Sequence, residues 1–142
     1  MPRSPVVTTL PTSKAIYVDV SAGILADGDG RVLIAQRSGD GPLHGMWEFP
    51  GGKVALGETT DAALIRELRE EIGIEVLEYT PFMHLEHDYP DRSVRLHFFK
   101  VDKWQGEPVG IDGQKLRWVK PAEIDLDSLL SADAPVIAAL LA

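Results

Sequence analysis

Residues 51–74 constrain this chain most: they read GGKVALGETTDAALIRELREEIGI and predict an amphipathic helix with Glu67, Glu70 and Glu71 on one face. At 100° per residue, Glu70 lies roughly 60° to one side of Glu67 and Glu71 roughly 40° to the other. Ile65, Leu68 and Ile72 fall about 100–160° from Glu67 and predict the buried stripe, which sets the acids nearly opposite the core. Like charges at these spacings weaken a helix by about 0.2–0.5 kcal/mol per pair. A run of Glu and Arg is most often a solvated helix face. Three carboxylates pointing at one spot instead suit a hard divalent cation, which binds carboxylate and phosphate oxygens together. The flanking residues favour the second reading. Gly51, Gly52 and Gly57 bracket a short loop, Glu58 adds an acid at the helix entrance, and Gly73 stands where a helix-ending glycine belongs.

In order, Gly52, Glu58, Arg66, Glu67, Leu68, Glu70, Glu71, Gly73 and Ile74 spell G-x5-E-x7-R-E-L-x-E-E-x-G-I. This string resembles the Nudix box at every defined position, which is a far more specific signal than a lone glycine-rich loop. The resemblance implies a loop–helix–loop that holds magnesium, or manganese in its place, and hydrolyses a nucleoside diphosphate linked to a further group. It implies Glu67, Glu70, Glu71 and the backbone carbonyl of Gly51 as metal ligands. Arg66 would orient Glu67 or its neighbours by salt bridging, and Glu58 would brace the loop or reach the metal through water. Catalysis is assigned to Glu67, Arg66 and Glu70, with Glu67 taking the proton of the attacking water.

The rest of the chain narrows the classes. At 142 residues it is long enough for one core. A net charge of −8 disfavours a nucleic acid polymer as partner, because polyanions are bound through many Lys and Arg contacts. A nucleotide remains compatible, since cations can bridge its phosphates. With no cysteine there is no disulfide framework, which fits a cytoplasmic protein. No apolar run approaches the ~20 residues that span a bilayer, so no membrane partner is expected. A monomer is expected. Residues 1–14, with three prolines and no hydrophobic signal core, read as a flexible tail before a single domain over 15–142.

Alternating elements predict an α/β (α+β) fold, a mixed sheet sandwiched between helices. Strands are expected over 15–26, 31–37, 75–88, 93–104 and 115–120, with a short extended piece at 47–49. The turns are DGDG at 27–30 and YPDR at 89–92, and glycine-bearing loops cover 38–46 and 105–114. A turn or brief helix starts at Pro121. A last helix follows Asp133, with Pro135 in its first turn. His84, His87 and His97 lie on strands without ligand spacing and read as structural.

Outside the box, IAQR at 34–37, WEFPGGK at 47–53, YPDR at 89–92, WQGEP at 104–108, DGQ at 112–114 and ADAPVIAAL at 132–140 resemble the MutT type of Nudix pyrophosphohydrolase. That likeness implies hydrolysis of 8-oxo-dGTP to its monophosphate and pyrophosphate. It places Arg37, Phe49, Lys53, Arg92 and Asp133 at the substrate. Asp112 stands where the pattern has a glutamate ligand. Asp133 stands where it has an asparagine, whose amide can donate to base O6 and accept from the N7–H created by oxidation. A carboxylate only accepts, so it repels O6 unless protonated, and it suits an amino group such as N4 of cytosine. The CTP and modified-dCTP pyrophosphohydrolases, which this chain also resembles, carry aspartate in that motif. A second role for Asp133 is capping the last helix, for which Asp is well suited.

Overall fold

The computed structural model describes residues 17–142, so the expected tail over 1–14 and the first residues of the expected first strand lie outside the described residues. Nine elements follow in chain order: β1 (Val18–Ile24), β2 (Val32–Gln36), β3 (Trp47–Glu48), β4 (Gly51–Lys53), α1 (Thr60–Ile72), β5 (Glu75–Tyr89), β6 (Arg92–Gln105), β7 (Leu116–Val119) and α2 (Ala134–Leu141). Single 3₁₀ turns at Pro121–Glu123, Leu126–Ser128 and Ser131–Asp133 connect β7 to α2. Among the described residues, no helix is long and apolar enough to cross a membrane.

The expected single mixed sheet is divided in two. One sheet has the order β4-β1-β6-β5, parallel only between β1 and β6, and the other has the order β3-β2-β7, antiparallel throughout. Both sheets bury apolar side chains on both faces because their strands alternate between two cores. Ile24, Val32, Ile34 and Phe98 face one core, which Val136 and Ile137 of α2 complete. Leu25, Leu33, Phe99 and Val101 face the other, beneath Leu64, Leu68 and Ile72 of α1. The result is an α/β/α sandwich, the fold class expected from the alternating elements.

Helix α1 starts at Thr59, whose hydroxyl accepts the Ala62 N–H at 3.2 Å, satisfying one of the free donors of the first turn. It ends at Gly73, which takes φ 71° and donates its N–H to the Arg69 carbonyl at 3.2 Å. That left-handed ending suits glycine. Two details differ from the helical-wheel expectation. Leu64 is wholly buried while Ile65 is only partly so, and the acidic face is not opposite the core. Strand β4 lies along that side of α1, so Glu67 keeps only 15% of its side chain exposed. The wheel registers the direction of each side chain but not which strand will pack there.

In sequence, Gly51–Lys53 reads as loop, because glycines are poor strand formers, yet it forms strand β4. Its place is set by close approach. A Cβ on Gly51 would meet the Ser21 carbonyl and the Ala22 Cα at 2.7 Å, both rigid backbone of β1. Only glycine lets β4 pair with β1 at this register, Ala22 opposite Gly51 and Ser21 opposite Gly52.

Candidate active site

A cavity of about 300 Å³ opens against the four-stranded sheet, with Val18, Val20, Ala22, Val94 and Leu96 as its apolar wall. Arg37, Glu48, Lys53, Glu71, Arg92 and Asp133 also line it, and Phe49, Tyr89 and Leu130 complete the enclosure. A second, polar cleft of about 200 Å³ adjoins it, lined by Gln36, Arg37, Glu48, Glu71, Asp112 and Gln114. Arg37, Glu48 and Glu71 belong to both, so they form the partition between a mixed compartment with an apolar wall and an acidic one.

On the acidic side, Arg66 organises the helix. Its Nε and Nη2 donate to the two oxygens of Glu58, both at 2.8 Å, and Nη2 also reaches the Lys53 carbonyl at 3.0 Å. Its Nη1 donates to Glu67 at 3.2 Å and Glu70 at 3.1 Å. Glu58 in turn accepts the Ala55 N–H at 2.9 Å, tying the loop to the helix. These bonds hold the Glu58 carboxyl down at about 2, with the Arg66 guanidinium the larger cause and the Ala55 amide the next.

The three helix acids do not converge on one point, as the wheel suggested. Glu67 and Glu70 turn to Arg66, whereas Glu71 accepts the Gly51 N–H at 3.4 Å. Among the described residues, no three Asp, Glu, His or Cys side chains form a ready ligand cage. Their electrostatics nevertheless fit a divalent cation. Burial pushes Glu71 up to about 7, helped by the charges of Glu48, Glu67 and Asp112 and opposed by the Gly51 amide. Burial also raises Glu67, against the pull of Arg66. A hard cation relieves such crowding, and every donor here is oxygen. Glu67, Glu70, Glu71 and Asp112 could supply carboxylates, with the Gly51 backbone beside them.

Asp112 arrives from far along the chain because its loop is fastened to the end of α1. The Ile111 N–H and the Gln114 Nε2 both donate to the Glu71 carbonyl, at 3.1 and 3.0 Å, and Gln114 Oε1 accepts the Asp112 N–H at 2.9 Å. Gln114 therefore satisfies a free carbonyl of the last helical turn while ordering the acid. Its role was not assigned from the sequence.

Gly52 has a different reason to be glycine. A Cβ there would run into the Glu67 carboxylate. The obstacle is the end of a flexible side chain, so Gly52→Ala is expected to turn Glu67 aside without unfolding the protein. We expect kcat to fall by about tenfold or more, as for a misplaced reacting group, with the thermal midpoint nearly constant. An unchanged kcat would show that the position of this carboxyl does not limit turnover.

On the apolar side, Arg37 pairs with Glu48 through Nη1 at 3.3 and 3.4 Å to the two carboxylate oxygens. Glu48 went unassigned from the sequence, where it reads as one residue of a short extended piece. Burial raises its carboxyl and Arg37 opposes the shift. Lys53 is exposed at the rim. Phe49 packs edge-on against Phe98, ring centres 6.1 Å apart, and is almost wholly buried. Arg92 stacks over the Tyr89 ring at 5.9 Å.

Asp133 corrects one expectation. Its side chain makes no cap bond to α2; its backbone is already helical, at φ −88° and ψ −13°. Instead Oδ2 accepts the Phe49 N–H at 2.9 Å, across 84 residues of sequence. The group is 4% exposed. Burial pushes its carboxyl up to about 8; the Phe49 amide opposes this, and the charge of Glu48 adds to it.

A cavity with one apolar wall and a charged rim, sharing residues with a cluster of hard oxygen donors, suits a metal-assisted hydrolase of nucleotide anhydrides. The profile of the NUDIX domain matches residues 17–140, and the chain belongs to that family. It is 37% identical over 123 residues to the Escherichia coli 8-oxo-dGTP diphosphatase, covering 87% of this chain and 95% of that one. It is 36% identical over 125 residues to the CTP pyrophosphohydrolase of the same organism, covering 88% and 92%. The solution structure of the E. coli ORF135 protein superposes with a TM-score of 0.78 at 35% identity, over 92% of this chain and 93% of that one. The protein is thus a Nudix hydrolase, an enzyme class that works with a divalent metal ion.

Proposed function

We propose that this enzyme hydrolyses 8-oxo-dGTP to 8-oxo-dGMP and pyrophosphate with magnesium, for which manganese substitutes. The observation that carries this reading is the buried Asp133 carboxyl at the cavity wall. Burial pushes it up to about 8, which favours the protonated form at neutral pH. Oδ2 is engaged as acceptor by the Phe49 amide, so the proton belongs on the other oxygen. Asp133 then offers a donor to base O6, restoring what the expected asparagine amide would supply. A repelled or unmet polar contact in such a site costs about 1–3 kcal/mol, or one to two decades of preference.

The apolar compartment takes the base and sugar, with Arg37, Phe49, Lys53 and Arg92 around them. Glu67, Glu70, Glu71, Asp112 and the Gly51 carbonyl would hold the metal. A bound divalent ion screens charge on the phosphate oxygens and lowers the pKa of a bound water. Water attacks the β-phosphorus, Glu67 takes its proton, and the bond to the α-phosphate oxygen breaks. Arg66 keeps Glu67 in place, and Glu70 shares that guanidinium. The reading includes a monomer in the cytoplasm, acting on free nucleotides and on no polymer.

An ionised Asp133 favours the second reading, a CTP or modified-dCTP pyrophosphohydrolase, because a carboxylate accepts from N4 of cytosine. The two readings separate by kcat/KM for 8-oxo-dGTP, dGTP, CTP and 5-methyl-dCTP in magnesium between pH 6.5 and 9.5. We expect 8-oxo-dGTP to lead at pH 7, and its lead over CTP to shrink as pH rises through about 8. A preference for CTP at pH 7 would overturn the leading choice.

A further inference from the structure

We propose that the Tyr89 hydroxyl is a positioning group for the base compartment, clasping the β5–β6 hairpin tip to the turn that carries Asp133. The inference rests on the substrate reading above and adds a residue to it. Strand β1 pairs with β6 only from Val94 to Lys100, and β5 is an edge strand. Among the described residues, the tip from Asp88 to Ser93 is therefore supported within the sheet only by its own two strands. Arg92 sits on this tip and lines the cavity. Asp133 sits on the cavity wall at the end of the 3₁₀ turn Ser131–Asp133. Neither element fixes the other through regular secondary structure.

Two side-chain contacts join them. The Tyr89 hydroxyl accepts the Ala132 N–H at 3.1 Å, and His87 Nε2 lies 2.9 Å from Ser131 Oγ. The two clasp residues brace each other, His87 standing edge-on to Tyr89 with ring centres 4.5 Å apart. The ring of Tyr89 carries Arg92 on its face, so one residue orients the guanidinium with its ring and the Asp133 turn with its hydroxyl. Ala132 is buried, leaving its amide no ready exchange of Tyr89 for water. His87, expected to be merely structural on a strand, belongs to this clasp. Losing it frees the hairpin tip as a lever and lets the two base-side groups drift apart.

The test is Tyr89→Phe, which keeps the ring and removes only the hydroxyl, with Ser131→Ala as a second variant cutting the other contact. Steady-state kcat and KM are measured for 8-oxo-dGTP and dGTP, alongside thermal midpoints. Tyr89→Phe is expected to raise KM for the preferred triphosphate about tenfold with kcat within about twofold, as for lost ground-state positioning. Selectivity over dGTP should fall with it, and Ser131→Ala should shift KM the same way by less. An unchanged KM and selectivity would overturn the clasp. So would a lower thermal midpoint with kcat falling and KM unchanged, the signature of a structural contact alone. If the unaltered enzyme shows no preference for 8-oxo-dGTP, the substrate reading fails by itself, and the KM comparison on its best triphosphate still decides the clasp.

Discussion

Glu67→Gln is expected to lower kcat by about three to four decades, since on the proposed mechanism Glu67 is both the proton acceptor and a charged metal ligand. The amide can still accept from Arg66 Nη1, which now lies 3.2 Å from the carboxylate. The box should keep its shape because Glu58, the main partner of Arg66, is untouched. Burial raises the Glu67 carboxyl in the folded state, so an uncharged replacement leaves stability equal or higher at pH 7. Glu67 sits behind Gly52 and does not itself line the larger cavity, so KM should move little. Kinetics at saturating magnesium with a parallel melting curve test this. Activity within tenfold of the unaltered enzyme would remove Glu67 from the role of base.

Asp133→Asn should have the second largest effect, and it is read in stability as well as in rate. Burial holds the native carboxyl protonated up to about 8, whereas an unfolded aspartate releases its proton near the ordinary value of 3.8. Between those values the native state binds the extra proton, so stability falls as pH rises. An amide has no such dependence. It still accepts the Phe49 N–H through its oxygen and turns an N–H donor toward the cavity. The variant should therefore gain stability relative to the unaltered protein from pH 4 upward, levelling off above about pH 8. At pH 7 the gain is on the order of 2–4 kcal/mol. Its preference for 8-oxo-dGTP should persist above pH 8, where that of the unaltered enzyme declines. Denaturant melts at pH 4.5, 7 and 9 with rates on 8-oxo-dGTP and CTP check both halves. Equal pH dependence of the two proteins would falsify the raised carboxyl.

Much of the site was legible because it is local. The helix limits, the Gly73 ending and the order of the acids on α1 follow from residues within one or two turns of each other. Strands β2, β5, β6 and β7 were legible within a few residues for the same reason, as alternation is also a local property. Strand β4 was not, because its reason for existing is the absence of side chains against β1 and Glu67. Glu48 was passed over in a piece too short to show a period. The resemblance puts Asp133 at the base, but its second role, a cap, rests on Asp before Ala-Pro being a good local cap, and nothing nearby announces that its partner is the Phe49 amide.

The candidate metal-binding face is legible in the chain alone, since the spacing from Gly52 to Ile74 places the acids and the arginine on one helix whatever surrounds it. Helical periodicity needs no tertiary contact to order them. The state and direction of the groups proposed to meet the nucleotide come from tertiary packing. The fastening of Asp112 to the end of α1 and the pairing of Arg37 with Glu48 depend on segments brought together from distant parts of the chain. The Asp133 carboxyl is the sharpest case, because the same side chain donates when buried and only accepts when solvated. Burial is a property of the packed fold, and no local pattern contains it.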